Sequence, residues 1–161
     1  MPFAIFQYPP EDEFAFREAM RLLTTRLEGR GKRVVAVSLA ECLAEALATE
    51  DPVEALIEAE ELAGIDATVD TINKALADRT PLDALVASRV PAAADPLRHL
   101  VFIHRCGALY PVYRPFPLVE QLMGRLAVPA IVFYPGERDG PTSLRFMGRS
   151  EPEHNYRPMI F

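Results

Sequence analysis

Two nearly unbroken apolar runs, Leu100–Ile103 and Ala130–Phe133, stand out in a chain that is otherwise patterned at helical spacing. Runs of this length bounded by polar residues suit strands buried on both faces of a parallel sheet. Phe3–Phe6 and Val34–Val37 read as two further strands. After Tyr8-Pro9-Pro10, the residues Glu11, Asp12 and Glu13 place negative charge where a helix N-terminus favours it, which predicts a helix to about Glu28. Within it Phe16, Ala19, Met20, Leu23 and Leu27 recur three and four apart, so one face packs on the sheet and Arg17, Arg21 and Arg26 stay in water. Gly29 and Gly31 end that helix, and Ser38 stands at the N-cap of a helix over Leu39–Ala48.

From residue 51 to 89 the composition shifts to Ala, Leu and Glu, and Asp51-Pro52, Ile65-Asp66 and Thr80-Pro81 mark the starts of three short helices. Pro91 to Pro96 is a loop. The tail Asn155–Phe161 ends in apolar residues and is expected to dock as a short edge strand. The alternation predicts a single three-layer α/β domain over residues 1–161, Rossmann-like, with a mainly parallel sheet of about five strands and helices on both faces. Residues 51–89 form a helical insert within it, since about forty residues rarely supply a core of their own.

A chain of 161 residues, half of them hydrophobic, buries roughly 70% of its unfolded surface and needs neither disulfide nor metal to hold it. The 17 basic and 23 acidic residues give a net charge of −6, the wrong sign for gripping nucleic acid over a broad face. The segment from Arg98 to Arg157 nevertheless carries eight arginines and no lysine, enough for a local basic patch. Two cysteines, Cys42 and Cys106, form no zinc or disulfide pattern and fit a reduced, cytoplasmic setting. The start MPFAIFQYPP has no basic n-region, and no window of about 18 apolar residues exists, so neither export nor membrane spanning is expected.

Strand ends are where chemistry should gather. In open α/β sheets ligands and partners bind beyond the carboxyl ends of the strands, which brings His104, Arg105, Gly107, Tyr134, Gly136 and Asp139 to one edge. The turn after the first strand, Gln7-Tyr8-Pro9-Pro10, offers no glycine loop for phosphate, and neither GxxxxGK[ST] nor GxGxxG occurs. No cofactor and no small-molecule ligand are expected. A metal site would need His104, Cys106 and either His154 or Asp139 to converge, and a half-buried hydrogen-bonding role for His104 is the simpler reading. Cys106 with His104 as base has no visible orienting third group, and Ser38 and Ser143 lack a nucleophile-elbow context. Tyr134-Pro135-Gly136 reads as a sharp turn at a strand end with Gly136 at positive φ, and Asp139-Gly140-Pro141 as a second. These turns would hold Tyr110, Arg114, Tyr134, Glu137, Arg138 and Asp139 on one rim, with Tyr156 and Arg157 beside it.

Three stretches carry a family resemblance: GALYPVYR, VPAIVFYPGERDGPTSLRFMG and HNYRPMIF, supported by the N-terminal PFAIFQYPPEDEFAFREAMRLLTTRL. Together they resemble the BrxB family, a component of the bacterial BREX bacteriophage-defence systems. His104-Arg105-Cys106 replaces the small apolar residues usual there, and the helical segment that family members carry before the first strand is expected to be absent. The resemblance implies an accessory subunit without an assigned catalytic activity that partners the alkaline-phosphatase-like protein PglZ and other BREX components. Tyr110, Arg114, Tyr134, Arg138, Tyr156 and Arg157 are the expected partner-binding residues, and direct nucleic-acid binding is not expected. The competing reading is a phosphate- or nucleotide-binding enzyme that uses Arg105, Arg114 and Arg138.

Overall fold

A computed structural model describes residues 3–50 and 53–161. Strands β1 (Phe3–Tyr8), β2 (Arg33–Ser38), β3 (His99–His104), β4 (Ala130–Arg138) and β6 (Met159–Ile160) form a sheet in the order β2-β3-β4-β1-β6, with all pairs parallel. The short β5 (Leu144–Phe146) pairs antiparallel with the upper end of β4. Helix α1 (Glu13–Glu28) carries the chain from β1 across β4 and β3 to the far edge. Between β2 and β3 come α2 (Leu39–Glu50), α3 (Val53–Ala63), α4 (Ile65–Lys74), a π-helical turn (Ala75–Arg79) and α5 (Leu82–Ser88). A 3-10 turn (Cys106–Leu109) and α6 (Pro115–Arg125) then link β3 to β4. The architecture is α/β, three-layered and Rossmann-like, as its alternation of periods predicts.

The strand alternation sorts the core onto two faces. Ile5, Val101, Ile103, Val132 and Tyr134 point to the face covered by α2, α5 and α6, in a buried cluster that also holds Ile72, Leu76, Leu82 and Val86 of the helical insert. Phe102 and Phe133 point the other way, against Phe16, Met20 and Leu27 of α1. Each fully buried Leu, Ile or Phe contributes about 1.5–3 kcal/mol, so the first face carries most of the stabilisation. Ser38 caps α2 as its position implies, its Oγ accepting the backbone N–H of Glu41 at 3.3 Å. Asp83, 3% exposed, ties α5 to α6 through an ion pair with Arg125.

Two expectations change. Pro135 and Gly136 do not form a turn: β4 continues unbroken through them to Arg138, because Gly136, Glu137 and Arg138 find partners in Phe146, Arg145 and Leu144 of β5. Gly136 therefore has no positive φ; its glycine is required by the close approach of the β5 backbone instead. The second expected turn, at Asp139-Gly140, is present, and Gly140 has φ +100°. The helix start expected at Asp51-Pro52 lies outside the described residues.

Candidate functional site

The chain leaves β1 toward one face of the sheet and leaves β3 toward the other, and β4 lies between them. This divergence opens a crevice at the carboxyl edge of the sheet, the place where open α/β sheets bind ligands. The crevice has a volume of about 270 Å3. Glu13 and Arg17 enter from α1, Arg105 and Gly107 from the segment after β3, and Pro135 and Met147 complete the lining.

Local geometry explains why these side chains meet. Glu13 and Arg17 are one helical turn apart and share a face; the Arg17 Nε donates to Glu13 Oε1 at 2.8 Å. The second carboxylate oxygen accepts the hydroxyl of Tyr8, the last residue of β1. Tyr8 is stacked on Phe16 with centroids 4.3 Å apart. Burial first, and the Glu13 carboxylate second, push its phenol far above the ordinary range, so it remains a neutral donor. Arg105 has left-handed backbone, φ 58°, and Met147 across the crevice has φ 54°. Two left-handed non-glycine residues on one small cavity are a concentration of backbone strain of the kind found at functional sites. The Arg105 guanidinium makes no ion pair among the described residues.

The neighbouring titratable groups are quieter. His104 is half-buried, and desolvation with the Arg105 charge lowers its pKa, so it is neutral at pH 7. Cys106 is fully buried and burial raises its thiol far above normal, the opposite of what a nucleophilic cysteine needs. His154 lies elsewhere, bonded to Ser143 Oγ at 2.7 Å. Among the described residues no three His, Cys, Asp or Glu side chains cluster as a metal site, and no helix is long and apolar enough to cross a membrane.

The expected partner-binding residues divide sharply. Tyr134 and Tyr156 are 0% and 2% exposed and belong to the core, so neither lies on a surface. Their rings meet at 6.0 Å, and Tyr156 donates its hydroxyl to Glu153 Oε2 at 2.7 Å. Glu153 is itself buried at the start of α6; desolvation raises its pKa, while the Tyr156 bond, the Arg114 charge and the Phe116 N–H oppose the rise. Two of the resembling stretches thus meet in one buried cluster, joined by Phe116, that pins the tail to β4 and α6. Tyr110, by contrast, is 39% exposed, with its ring edge on Phe146 at 6.1 Å.

Arg114, Arg138 and Arg157 are exposed but do not share one rim. Arg114 lines a cavity with Asp70, Asn73 and Gln121, Arg138 bonds the Ile160 carbonyl, and Arg157 faces Glu120 at 3.5 Å. The proposed phosphate grip of Arg105, Arg114 and Arg138 is therefore dispersed; the arginine that joins Arg105 is Arg17. The sequence pattern puts Arg17 in water, gives Glu13 only the role of a helix N-terminal charge and does not single out Glu153. The i, i+4 pairing of Glu13 with Arg17 was a visible signal, whereas nothing local marks Glu153.

The family model described as BREX protein BrxB matches residues 35–160, more than three-quarters of the chain. Comparison with curated proteins and with solved structures gave no match.

Proposed function

The chain belongs to the BrxB family of BREX proteins, and from that premise we propose that it is a non-catalytic accessory subunit of a phage-defence assembly that holds a PglZ-like partner. The family match is the observation that carries this reading. It is supported by the division of the resembling stretches, whose tyrosines staple the tail into the core while Tyr110, Arg114, Arg138 and Arg157 remain exposed on the matched span. Tyrosine and arginine are the types that dominate interface hot spots. With two of the six expected residues buried, these four remain as candidate contacts, on separate parts of the surface rather than one rim. Co-purification from cells carrying the neighbouring genes, read by mass spectrometry, tests it: a PglZ-like protein should be recovered, and its absence counts against the proposal.

A second reading has one observation in its favour. Arg17 and Arg105 both line a crevice sized for a small anion, in the place where this fold class binds ligands. Titration calorimetry with Mg-ATP, GTP and inorganic phosphate separates the readings: micromolar binding that is lost in Arg105→Ala supports a phosphate site, and no heat up to millimolar ligand leaves the accessory role.

A further inference from the structure

One face of the sheet is only half covered. Among the described residues α1 is the sole helix packed upon it, and none of its sixteen residues is buried. It sits over β3 and β4 through Phe16 and Met20, and beside it, toward β1 and β6, runs an apolar groove of about 500 Å3. Ala15, Ala19 and Leu23 form the wall on α1, and Phe6 and Phe161, 43% and 61% exposed, form the other. Ala19 and Leu23 have helical spacing suited to the sheet, yet they face this opening instead. Asp12 is the one charged residue in the lining.

We propose that this groove receives an amphipathic α-helix supplied by a protein partner and running parallel to α1. The stripe from Asp12 through Ala15, Ala19 and Leu23 to Arg26 spans about 21 Å of helix, four turns, and the small side chains of Ala15 and Ala19 permit close backbone approach. Helices that cover a parallel sheet run antiparallel to its strands, which is the direction of α1. The end charges select the same direction. Neither Asp12 nor Arg26 makes an ion pair among the described residues, so Asp12 favours the positive N-terminal pole of an incoming helix and Arg26 its negative C-terminal pole. The reversed helix meets like charge at both ends. A second copy offering its own α1 fits poorly, because the outward side of α1 exposes Phe14 and Leu22 but sets the Glu18–Arg21 ion pair beside them where an unbroken apolar stripe is needed.

Selection from a displayed library of peptides about sixteen residues long, on the folded protein, tests the proposal, with Ala19→Glu as counter-target. Ala19 is exposed, and circular dichroism confirms that the variant is folded. Enriched peptides should carry apolar residues at i, i+3 or i+4, and i+7, with basic residues at the N-terminal end and acidic ones at the C-terminal end. They should bind Ala19→Glu at least about tenfold more weakly. On an Asp12→Lys, Arg26→Glu double variant the wild-type winners should bind more weakly than to the wild type. Failure to enrich over Ala19→Glu overturns the proposal, as does an alternating strand-like pattern in the winners. Winners on the wild type that are acidic at the N-terminal end and basic at the C-terminal end, or wild-type winners that bind the double variant undiminished, overturn the orientation. A wild-type dimer in light scattering that Ala19→Glu dissolves assigns the groove to a second copy and also overturns it.

Discussion

Replacing Gly136 by alanine tests how closely β4 and β5 pack over the signature residues. Gly136 pairs with Phe146, and its carbonyl accepts the Gln7 amide at 2.6 Å, so both sides of the strand are engaged. An added methyl lies 2.7 Å from Cε1 of Tyr134 and nearer still to the carbonyl oxygen of Arg145. The first is a fully buried ring held against Phe146 at 5.5 Å, and the second is backbone of the paired strand. Neither yields by rotating a flexible side chain, so β5 must move away from β4. Overpacking of this kind costs about 1–3 kcal/mol, which in a chain of this size lowers the melting temperature by roughly 3–10 °C. Gly124 is the internal control. It lies in α6 with nothing within 4 Å of an added methyl, so Gly124→Ala should stabilise by about 0.5–1 kcal/mol through helix propensity alone. Differential scanning calorimetry of both variants beside the wild type decides. A Gly136→Ala protein that melts within about a degree of wild type refutes the close-approach argument.

Three further outcomes follow from the buried polar groups. Because desolvation raises the folded pKa of Glu153, its contribution is most favourable below the unfolded value of 4.5 and is lost as pH rises through the folded pKa; Glu153→Gln should flatten that part of a denaturation-versus-pH curve, and an unchanged slope would show the carboxylate is not buried. Arg125→Met should leave Asp83 as an unpaired buried carboxylate and destabilise the protein by about 2–4 kcal/mol in urea titrations, whereas a loss under about 0.5 kcal/mol would mean solvent screens the pair. Cys106 and Cys42, both buried and with raised thiol pKa values, should react with a thiol reagent only on unfolding; rapid labelling of native protein would reopen Cys106 as a nucleophile.

Much of the layer architecture was legible because it rests on local periodicity. The runs at Leu100–Ile103 and Ala130–Phe133, the glycines that close α1 and the Ser38 cap each report their own neighbourhood, and each appears where expected. What escaped depends on contacts distant in sequence. Tyr134-Pro135-Gly136 has turn composition, yet it extends as strand because β5 arrives to pair with it. Tyr134 and Tyr156 suit a surface by type, but Glu153 supplies Tyr156 a buried acceptor, and no local pattern announces that partner. Ala19 and Leu23 fit the sheet-facing period of α1 and still line an open groove, since period records which face is apolar and not whether another element covers it.

The accessory role stands or falls on direct binding. Purified protein immobilised against a purified PglZ-like neighbour, with Tyr110→Ala and Arg114→Ala in parallel, measures it in one assay. A complex is expected for the wild type, weakened by about 1–4 kcal/mol in each variant, with the melting temperatures of the free chains unchanged to within a few degrees. No binding by the wild type contradicts the proposed function, and full binding by both variants removes Tyr110 and Arg114 from the contact surface.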